Sequence, residues 1–340
     1  MATKVIVRGI GKAGRLFLKH SIEMADVYVD AIADDAACEH VDNLAYLLKY
    51  DTVHGVSNHQ ISASPNEIII DGRKIPVIRY DDIPTSSVSE VNIIVDFTGN
   101  LSYDTALSLV DAGYRVIANN IFEDDIDNTV PVITTANMSL ITSTQYNIIS
   151  TNPDIESIAQ VVKQINANFG MLSATLTFIK SATSAMSVDD TFVASGTYDA
   201  GRGCFENMIV TDNIAGMQLG KIIPELKNVK IAGNTIRVPS VSGFIAQIDA
   251  TCDKLTEADE VNYYISNYIS DTSSRTLAYC DDPISPTDTR SLFAPTFVSS
   301  KTRTMNNVSS TGQSIIRAYV FYHPENVSVE ISTEIIRTLA

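Results

Sequence analysis

The sequence has no apolar run long enough to cross a bilayer, which argues against a membrane protein. Its N-terminus runs directly into a strand-like pattern and lacks the basic, apolar and small-residue succession of a secretory signal. Basic residues are also few, because 24 lysines and arginines stand against 40 acidic residues, a formal net charge of −16. A phosphate backbone needs a basic surface, so this balance argues against a nucleic-acid partner. The 340 residues, 45% hydrophobic, are typical of a soluble chain with one large or two medium domains.

Cysteine is scarce as well. The four cysteines show no CxxC or other metal-ligand spacing, and they are Cys38, Cys204, Cys252 and Cys280. This pattern indicates reduced thiols that mostly serve packing. It favours a reducing, cytoplasmic location and gives no indication of a metal site.

The first half of the chain alternates strand and helix patterns, which predicts a parallel, doubly wound sheet. The strand-like runs are 4–10, 27–34, 92–99 and 114–120, and helical spacing occurs over 14–24 and 105–113. Around residue 150 the pattern changes to a helix over 155–170 that ends at Gly170. Longer strand-like runs follow, spaced as in an antiparallel sheet, at 171–183, 234–253 and 312–323. Residues 329–340 have the pattern of a closing helix.

A glycine-rich turn stands between the first strand and the first helix. This G-x-G-x-x-G consists of Gly9, Ile10, Gly11, Lys12, Ala13 and Gly14. Its glycines permit a tight turn and a close approach of backbone N–H groups to a pyrophosphate. Asp34 ends the next strand, where a carboxylate accepts hydrogen bonds from a ribose and repels a 2′-phosphate, which favours NAD over NADP. The alternative is a turn kept from a nucleotide-binding ancestor without a ligand.

Five segments resemble glyceraldehyde-3-phosphate dehydrogenases, in the family's order and at its spacing. They are KVIVRGIGKAGRLFLK (4–19), LAYLLKYDTVHG (44–55), VDFTG (95–99), GKIIPEL (220–226) and IRVPS (236–240). The resemblance implies an α/β fold with a Rossmann-type parallel-sheet domain at 1–150, joined by a returning helix at 325–340. A second α+β domain with a mixed or antiparallel sheet is expected at 151–324. The resemblance also implies a homotetramer in which a loop at roughly 181–203 lines a neighbour's cofactor site.

The resemblance further implies roles around the cofactor. Lys12 stands where the family has an arginine near the pyrophosphate, and Arg79 matches an arginine near the adenine. Thr98 is expected to flank the cofactor, and Asn119 takes the place of a serine beside the nicotinamide ribose. The family's asparagine that orients the nicotinamide, however, falls on Pro324. The sequence therefore leaves open whether NAD binding is retained or lost.

The family's nucleophilic cysteine falls on Pro153, within STNPDIESIAQ (150–160). In the family a thiolate attacks an aldehyde, hydride passes to NAD, and phosphate releases the acyl-enzyme. Proline has neither a thiol nor a backbone N–H, but it suits the first turn of a helix, with Asn152 as its cap. The family's base histidine falls on Lys180. Two roles stay open for this lysine: an acid, base or Schiff-base amine, or a solvated or ion-paired side chain with Asp154 as partner.

The substrate-phosphate pockets match the family only in part. Thr183 and Arg237 correspond to a phosphate-binding threonine and arginine, and Arg202 lies in a basic family segment close by. The other anion pocket reads Asp-Asn-Ile at 212–214, where a carboxylate repels inorganic phosphate. The alternative for Arg237 is a simple pairing with a local carboxylate.

These losses in separate segments predict a catalytically inactive relative. Such a chain would serve as a structural, scaffolding or regulatory subunit, in a homo-oligomer or a larger protein assembly. The alternative is an NAD-dependent oxidoreductase that acts on a ketone or imine without a covalent thioester. In that case Lys180 donates the proton and Arg237 holds an anionic group. The parental activity ranks last, because no thiol is placed for it.

Overall fold

The computed structural model describes residues 2–85, 92–122, 130–143, 146–183, 186–193, 198–271, 276–308 and 312–340. The chain divides into two compact units, one formed by Met1–Pro153 with Ser328–Ala340 and the other by Asp154–Val327. Both boundaries lie three residues beyond the expected ones. Across these described ranges, no helix is long and apolar enough to span a membrane.

The first unit is built on an eight-stranded sheet of order β10-β9-β8-β1-β2-β7-β6-β5. Its strands are β1 (Thr3–Arg8), β2 (Val27–Ala33), β5 (Ile61–Ser64), β6 (Glu67–Ile70), β7 (Arg73–Ile78), β8 (Ile93–Asp96), β9 (Arg115–Ala118) and β10 (Ile148–Ser150). The strands from β10 to β7 pair in parallel, and β6 and β5 extend the sheet in antiparallel fashion. A small hairpin is formed by β3 (Tyr50–Asp51) and β4 (Gly55–Val56).

The helices of the first unit follow the predicted alternation with the strands. They are α1 (Lys12–Glu23), α2 (Asp35–Glu39), α3 (Val41–Lys49) and α4 (Tyr103–Asp111). Consecutive residues Val5, Ile6 and Val7 of β1 are all fully buried, as expected of a parallel strand covered on both faces. The chain proceeds from β1 to β2 on one side and later enters β8 on the other, so the order reverses between β1 and β8. In such sheets, ligands bind outside the carboxyl ends of the strands at this reversal.

The second unit carries a sheet of order β12-β13-β11-β14-β18-β16-β15, with β17 paired to β18. Its strands are β11 (Met171–Ser181), β12 (Ile209–Asp212), β13 (Lys230–Val238), β14 (Phe244–Cys252), β15 (Ala278–Cys280), β16 (Thr296–Val298), β17 (Arg303–Asn306) and β18 (Ser314–Tyr322). Its helices are α5 (Pro153–Phe169), α6 (Ala215–Ile222) and α7 (Ala258–Asp271), and α8 (Pro324–Leu339) returns the chain to the first unit. Gly170 ends α5 as predicted, with a φ of 68° that suits glycine.

One expectation for this unit needs correction. The run 234–253 is two strands, β13 and β14, because Gly243 turns the chain with a φ of 84°. Of the two sheet types expected, the structure shows the mixed one, since β11 pairs in parallel with β13 and antiparallel with β14. The final helix begins at Pro324, one residue before the start implied by the resemblance and five before the start of the helical pattern, because proline suits a first helical turn. The α/β fold class, with a parallel-sheet domain and a mixed-sheet domain, is confirmed.

Candidate functional site

The glycine-rich turn leads from β1 into α1, and its first and last glycines are fixed by close backbone packing. Gly9 has a φ of 86°, and a Cβ there would lie 2.7 Å from the Thr98 side chain. A Cβ on Gly14 would overlap the carbonyl oxygen of Gly9. Gly11 directly precedes α1, and a Cβ built on it would have no neighbouring heavy atom within 4 Å. The turn thus keeps the tight geometry and the free approach that a pyrophosphate requires.

Asp34 lies after β2, as the sequence predicts, and its carboxylate already has three donors. Oδ1 accepts from the Ala37 N–H at 3.0 Å, which makes Asp34 the N-cap of α2. Oδ2 accepts from the Ile10 N–H at 3.0 Å and from the Tyr80 hydroxyl at 3.3 Å. The carboxylate thereby ties the glycine-rich turn to the segment after β7.

A buried ion pair lies at the reversal of the sheet order. Arg8 at the end of β1 bonds the carboxylate of Asp96 at the end of β8, at 2.5 Å. Asp96 is fully buried, and burial raises the pKa of its carboxyl group against the opposing effect of Arg8. Thr98 donates its hydroxyl to the other Asp96 oxygen at 2.7 Å. The guanidinium of Arg8 also lies 4.2 Å from the centre of the Tyr80 ring. We call Arg8, Asp34, Tyr80, Asp96 and Thr98 the cleft cluster.

The other residues named for the cofactor have partners of their own or face solvent. Lys12 and Arg79 are exposed, and Arg79 pairs with Glu39 at 3.2 Å. Asn119 follows β9 and donates its amide to the Asp96 carbonyl at 3.1 Å and to Ser332 at 3.2 Å. Ala13 is the second residue of α1. The contact of these residues with a cofactor stays a prediction.

The residues around the glycine-rich turn suit the pyrophosphate of a dinucleotide, but those around Asp34 do not leave the carboxylate fully open for its ribose. The glycine-rich turn offers the approach that a pyrophosphate needs. The Asp34 corner, in contrast, is filled by the Tyr80 hydroxyl, and the ring of Tyr80 covers Arg8. The Tyr80 hydroxyl thus occupies an acceptor position of the carboxylate that a ribose would use.

The second cluster lies in the other unit, at the start of α5 and the end of β11. Pro153 begins α5, in the first-turn position that its fixed φ favours. The next residue, Asp154, forms a buried ion pair with Lys180, and each residue is only 7% exposed. Of the roles left open for Lys180, the structure shows the ion-paired one. A cap at Asn152 stays a prediction.

Two further side chains close around the Asp154 carboxylate. The Tyr322 hydroxyl donates to Oδ1 at 2.7 Å, and the Asn213 amide donates to Oδ2 at 3.2 Å. Tyr322 is completely buried, and burial together with the Asp154 charge raises its pKa well above the usual range. The phenol therefore stays neutral and serves as a donor. We call Asp154, Lys180, Asn213 and Tyr322 the buried ion-pair cluster.

Aromatic rings and a second cation complete the surroundings of Lys180. Its ammonium lies 5.4 Å from the ring centre of Phe178 and 5.8 Å from that of Phe244. Arg237 stands opposite Lys180 in the register of β11 and β13, and donates to the Ser181 carbonyl at 3.1 Å. Burial lowers the pKa of Arg237, and the neighbouring Asp154 charge acts in the opposite direction.

The residues predicted to bind substrate phosphate each have different surroundings, and the described contacts do not join them to one another. Thr183 is exposed, and Arg202 pairs with Asp190 at 3.0 Å in its own loop. The amide of Asn213, in the altered anion pocket, bonds Asp154 and also the Thr235 hydroxyl at 2.9 Å. Asn213 thus completes an internal network. Phosphate contacts of Thr183, Arg202 and Arg237 stay a prediction.

The thiols of this unit that can be placed along the sheet lie far from Lys180. Cys252 pairs with Met171 at the opposite end of β11, nine residues or about 30 Å from Lys180 along the strand. Burial raises the pKa of Cys252 to about 12, so its thiolate is scarce. Cys280 lies on β15, four strands from β11 in the sheet order, about 19 Å.

Sequence reasoning missed five members of these clusters, of which Asp96 was seen only within VDFTG. Arg8 and Tyr80 were not identified, although an arginine directly after the buried run Val5–Val7 signals a buried carboxylate partner. Tyr322 and Asn213 were seen only as parts of longer segments. No local pattern indicates their contact with Asp154, because they are 168 and 59 residues away from it.

Comparison with known proteins agrees with this architecture. Residues 3–104 match the family model "Glyceraldehyde 3-phosphate dehydrogenase, NAD binding domain", and residues 150–322 match "Glyceraldehyde 3-phosphate dehydrogenase, C-terminal domain". A glyceraldehyde-3-phosphate dehydrogenase 1 of Bacillus cereus is 28% identical over 288 residues, 83% of each chain. A Lactobacillus delbrueckii subsp. bulgaricus glyceraldehyde-3-phosphate dehydrogenase is 28% identical over 310 residues, 87% of this chain and 88% of its own. The two matched models cover most of this two-unit structure, and the chain therefore belongs to the glyceraldehyde-3-phosphate dehydrogenase family.

Proposed function

We propose that this chain is a catalytically inactive member of its family that serves as a structural, scaffolding or regulatory subunit. One observation carries the proposal. Where the family's nucleophile is expected, Pro153 begins a helix, and the adjacent Asp154 is locked in the buried ion pair with Lys180. The position thus holds a helix start and a neutralised charge pair instead of a nucleophile and a base.

The alternative of altered oxidoreductase chemistry at Lys180 has weaker support. A proton donor must reach a substrate, but the Lys180 ammonium is bound to Asp154 and flanked by Phe178 and Phe244. Freeing it would leave Asp154 as a buried carboxylate without its cation, which is costly. The raised pKa of Tyr322 also makes this phenol a poor acid. The cluster therefore supports a structural role better than proton transfer.

A search for the covalent intermediate tests the proposal. Protein is incubated with glyceraldehyde 3-phosphate and NAD in the absence of phosphate, quenched in acid, and weighed intact by mass spectrometry. An active family member would attach the oxidised acyl group to a thiol. We expect an unchanged mass for this chain, with the Bacillus cereus relative treated in parallel as the positive control. An acyl adduct that disappears when the four cysteines are replaced by serine would refute the proposal.

We also propose a homo-oligomer, and exposed apolar side chains of the second unit support it. Large apolar residues are exposed along segment 188–217, and Phe192 and Met208 are 104% and 73% exposed in the single chain. Exposed apolar surface of this kind is typical of interaction sites. Part of the loop expected at 181–203 lies outside the described residues, namely 184–185 and 194–197.

The oligomer can be measured by light scattering coupled to size exclusion. We expect a mass several times that of one chain for the wild type, and a smaller mass for a Phe192→Ser, Met208→Ser variant. Val56→Ser, in the first unit and 70% exposed, is the matched control and should leave the mass unchanged. A wild-type protein that elutes as a monomer at all concentrations tested would rule out the oligomer.

A further inference from the structure

The cleft cluster holds a tyrosine in an unusual place for a nucleotide-binding sheet. Arg8 and Asp96 end the two strands that flank the reversal of the sheet order, where ligands of such sheets bind. Tyr80 follows β7 and lies over Arg8 with its hydroxyl on Asp34. One side chain therefore contacts both the reversal and the carboxylate expected to bind ribose.

The Asp34 carboxylate has little capacity left for a ligand. A carboxylate offers about four acceptor positions, and three are used by Ile10, Ala37 and Tyr80. The two backbone donors belong to the glycine-rich turn and to α2, so they are part of the fold. The Tyr80 hydroxyl is the one donor of the three that comes from a side chain. One acceptor position is left, so a ribose that donates both its 2′- and 3′-hydroxyls to Asp34 has to displace the Tyr80 hydroxyl.

The ring and backbone of Tyr80 are held as firmly as its hydroxyl. The ring centre lies 4.2 Å from the Arg8 guanidinium, within the range of a cation–π interaction. The Tyr80 N–H donates to Asp35 at 3.0 Å, which anchors the backbone beside α2. Burial is the main cause that raises the pKa of Tyr80 to about 12, so the hydroxyl remains a donor at neutral pH.

We propose that Tyr80 is an intramolecular substitute for the adenosine of a dinucleotide, and that its displacement is the step that limits NAD binding. The side chain presents a flat ring and a hydroxyl, the same two features that an adenine and its ribose present to this corner. The inference rests on the glycine-rich turn, whose open Gly11 position leaves room for a pyrophosphate, and it is independent of the proposed inactivity. It commits to the adenosine half, because the cleft cluster lies at the ribose-binding carboxylate.

Titration calorimetry with NAD, AMP and nicotinamide mononucleotide tests this inference. Tyr80→Ala removes the ring and the hydroxyl, and we expect it to lower the Kd for NAD and for AMP by about tenfold, the equivalent of one displaced hydrogen bond or cation–π contact. Tyr80→Phe removes the hydroxyl alone and should lower both Kd values by about threefold. Binding of nicotinamide mononucleotide should be the same in all variants, because it lacks the adenosine.

Two controls confine the effect to this corner. Tyr46→Ala removes an exposed tyrosine of α3 and should leave the Kd for NAD unchanged. Asp34→Ala combined with Tyr80→Ala should abolish the gain, because the ribose then has no carboxylate to bind. Circular dichroism checks that each variant folds. If Tyr80→Ala does not fold, the change in Kd for Tyr80→Phe still tests the inference.

Three results would overturn the inference. Tyr80→Ala that binds NAD with unchanged or weaker affinity would show that the ring supports the base instead of replacing it. Wild type and variants that all fail to bind NAD at millimolar concentration would show that the turn no longer accepts the dinucleotide. A gain that survives Asp34→Ala would place the binding elsewhere. None of these measurements depends on turnover. The proposed inactivity is tested separately by the acyl adduct, so either proposal can fail without the other.

Discussion

Purified protein supplied with glyceraldehyde 3-phosphate, NAD and phosphate is expected to form NADH on the order of 10⁶-fold more slowly than the Bacillus cereus relative. A loss of this size is typical when the nucleophile of a covalent mechanism is removed, and Pro153 supplies no thiol, hydroxyl or backbone N–H. Lys180, expected at the base position, is bound to Asp154. Both chemical roles therefore lack a side chain that could perform them. The initial rate of NADH absorbance measures the result.

A trace rate needs an internal control, because contaminating dehydrogenase would produce NADH too. A variant with all four cysteines replaced by serine should show the same trace rate as the wild type. A wild-type rate near that of the relative would contradict the prediction, as would a rate that vanishes on loss of the cysteines. Pro153→Cys alone should not restore turnover, since Lys180 remains paired with Asp154.

Lys180→Met is expected to lower the free energy of unfolding by about 3–5 kcal/mol. The substitution keeps the length and apolar contacts of the side chain with Phe178 and Phe244 but removes the cation. Asp154 would then be a buried carboxylate that has lost its ion-pair partner and keeps the Tyr322 hydroxyl, the Asn213 amide and the charge of the neighbouring Arg237. Far-UV circular dichroism in urea is the suitable measurement, because the chain contains no tryptophan.

Two controls separate the buried pair from any loss of charge. The double variant Asp154→Asn, Lys180→Met removes both charges and should recover much of the lost stability, because the buried carboxylate is no longer left without its ion-pair partner. Arg317→Met breaks the pair with Asp249, in which the arginine side chain is 49% exposed, and should cost less than about 1 kcal/mol. A cost for Lys180→Met as small as that for Arg317→Met would mean that the buried ion-pair cluster does not stabilise the unit.

The fold could be predicted from the sequence wherever the pattern is local. The turn with Gly9 and Gly14 and the helix end at Gly170 depend on backbone conformations that glycine favours or on contacts too close for a Cβ. The division of 234–253 into β13 and β14 was missed because both halves have strand composition and one glycine, Gly243, makes the turn. A mixed sheet was among the expectations, but the parallel pairing of β11 with β13 was not, because strand pairing is not encoded in local periodicity.

The site could be predicted only at single positions. Asp154 was named as a partner of Lys180 because the resemblance places both near one centre, and the structure shows that pair. The contacts of Tyr322 with Asp154 and of Tyr80 with Asp34 join elements 168 and 46 residues apart in the chain. Such contacts follow from the arrangement of strands and loops, which neither composition nor spacing specifies. The substitutions at the site could therefore be identified from the sequence, while the hydrogen bonds and ion pairs around Asp154 and Asp34 could not.

A pre-steady-state burst is the most direct test of the central claim that the centre beside Pro153 holds an ion pair in place of a reactive thiol. The protein is mixed rapidly with glyceraldehyde 3-phosphate and NAD without phosphate, and NADH is followed by stopped-flow absorbance. The account predicts no burst, even at protein concentrations high enough for one NADH per chain to be detected. A burst of NADH stoichiometric with the protein would contradict it, because hydride would then have left a covalently held aldehyde.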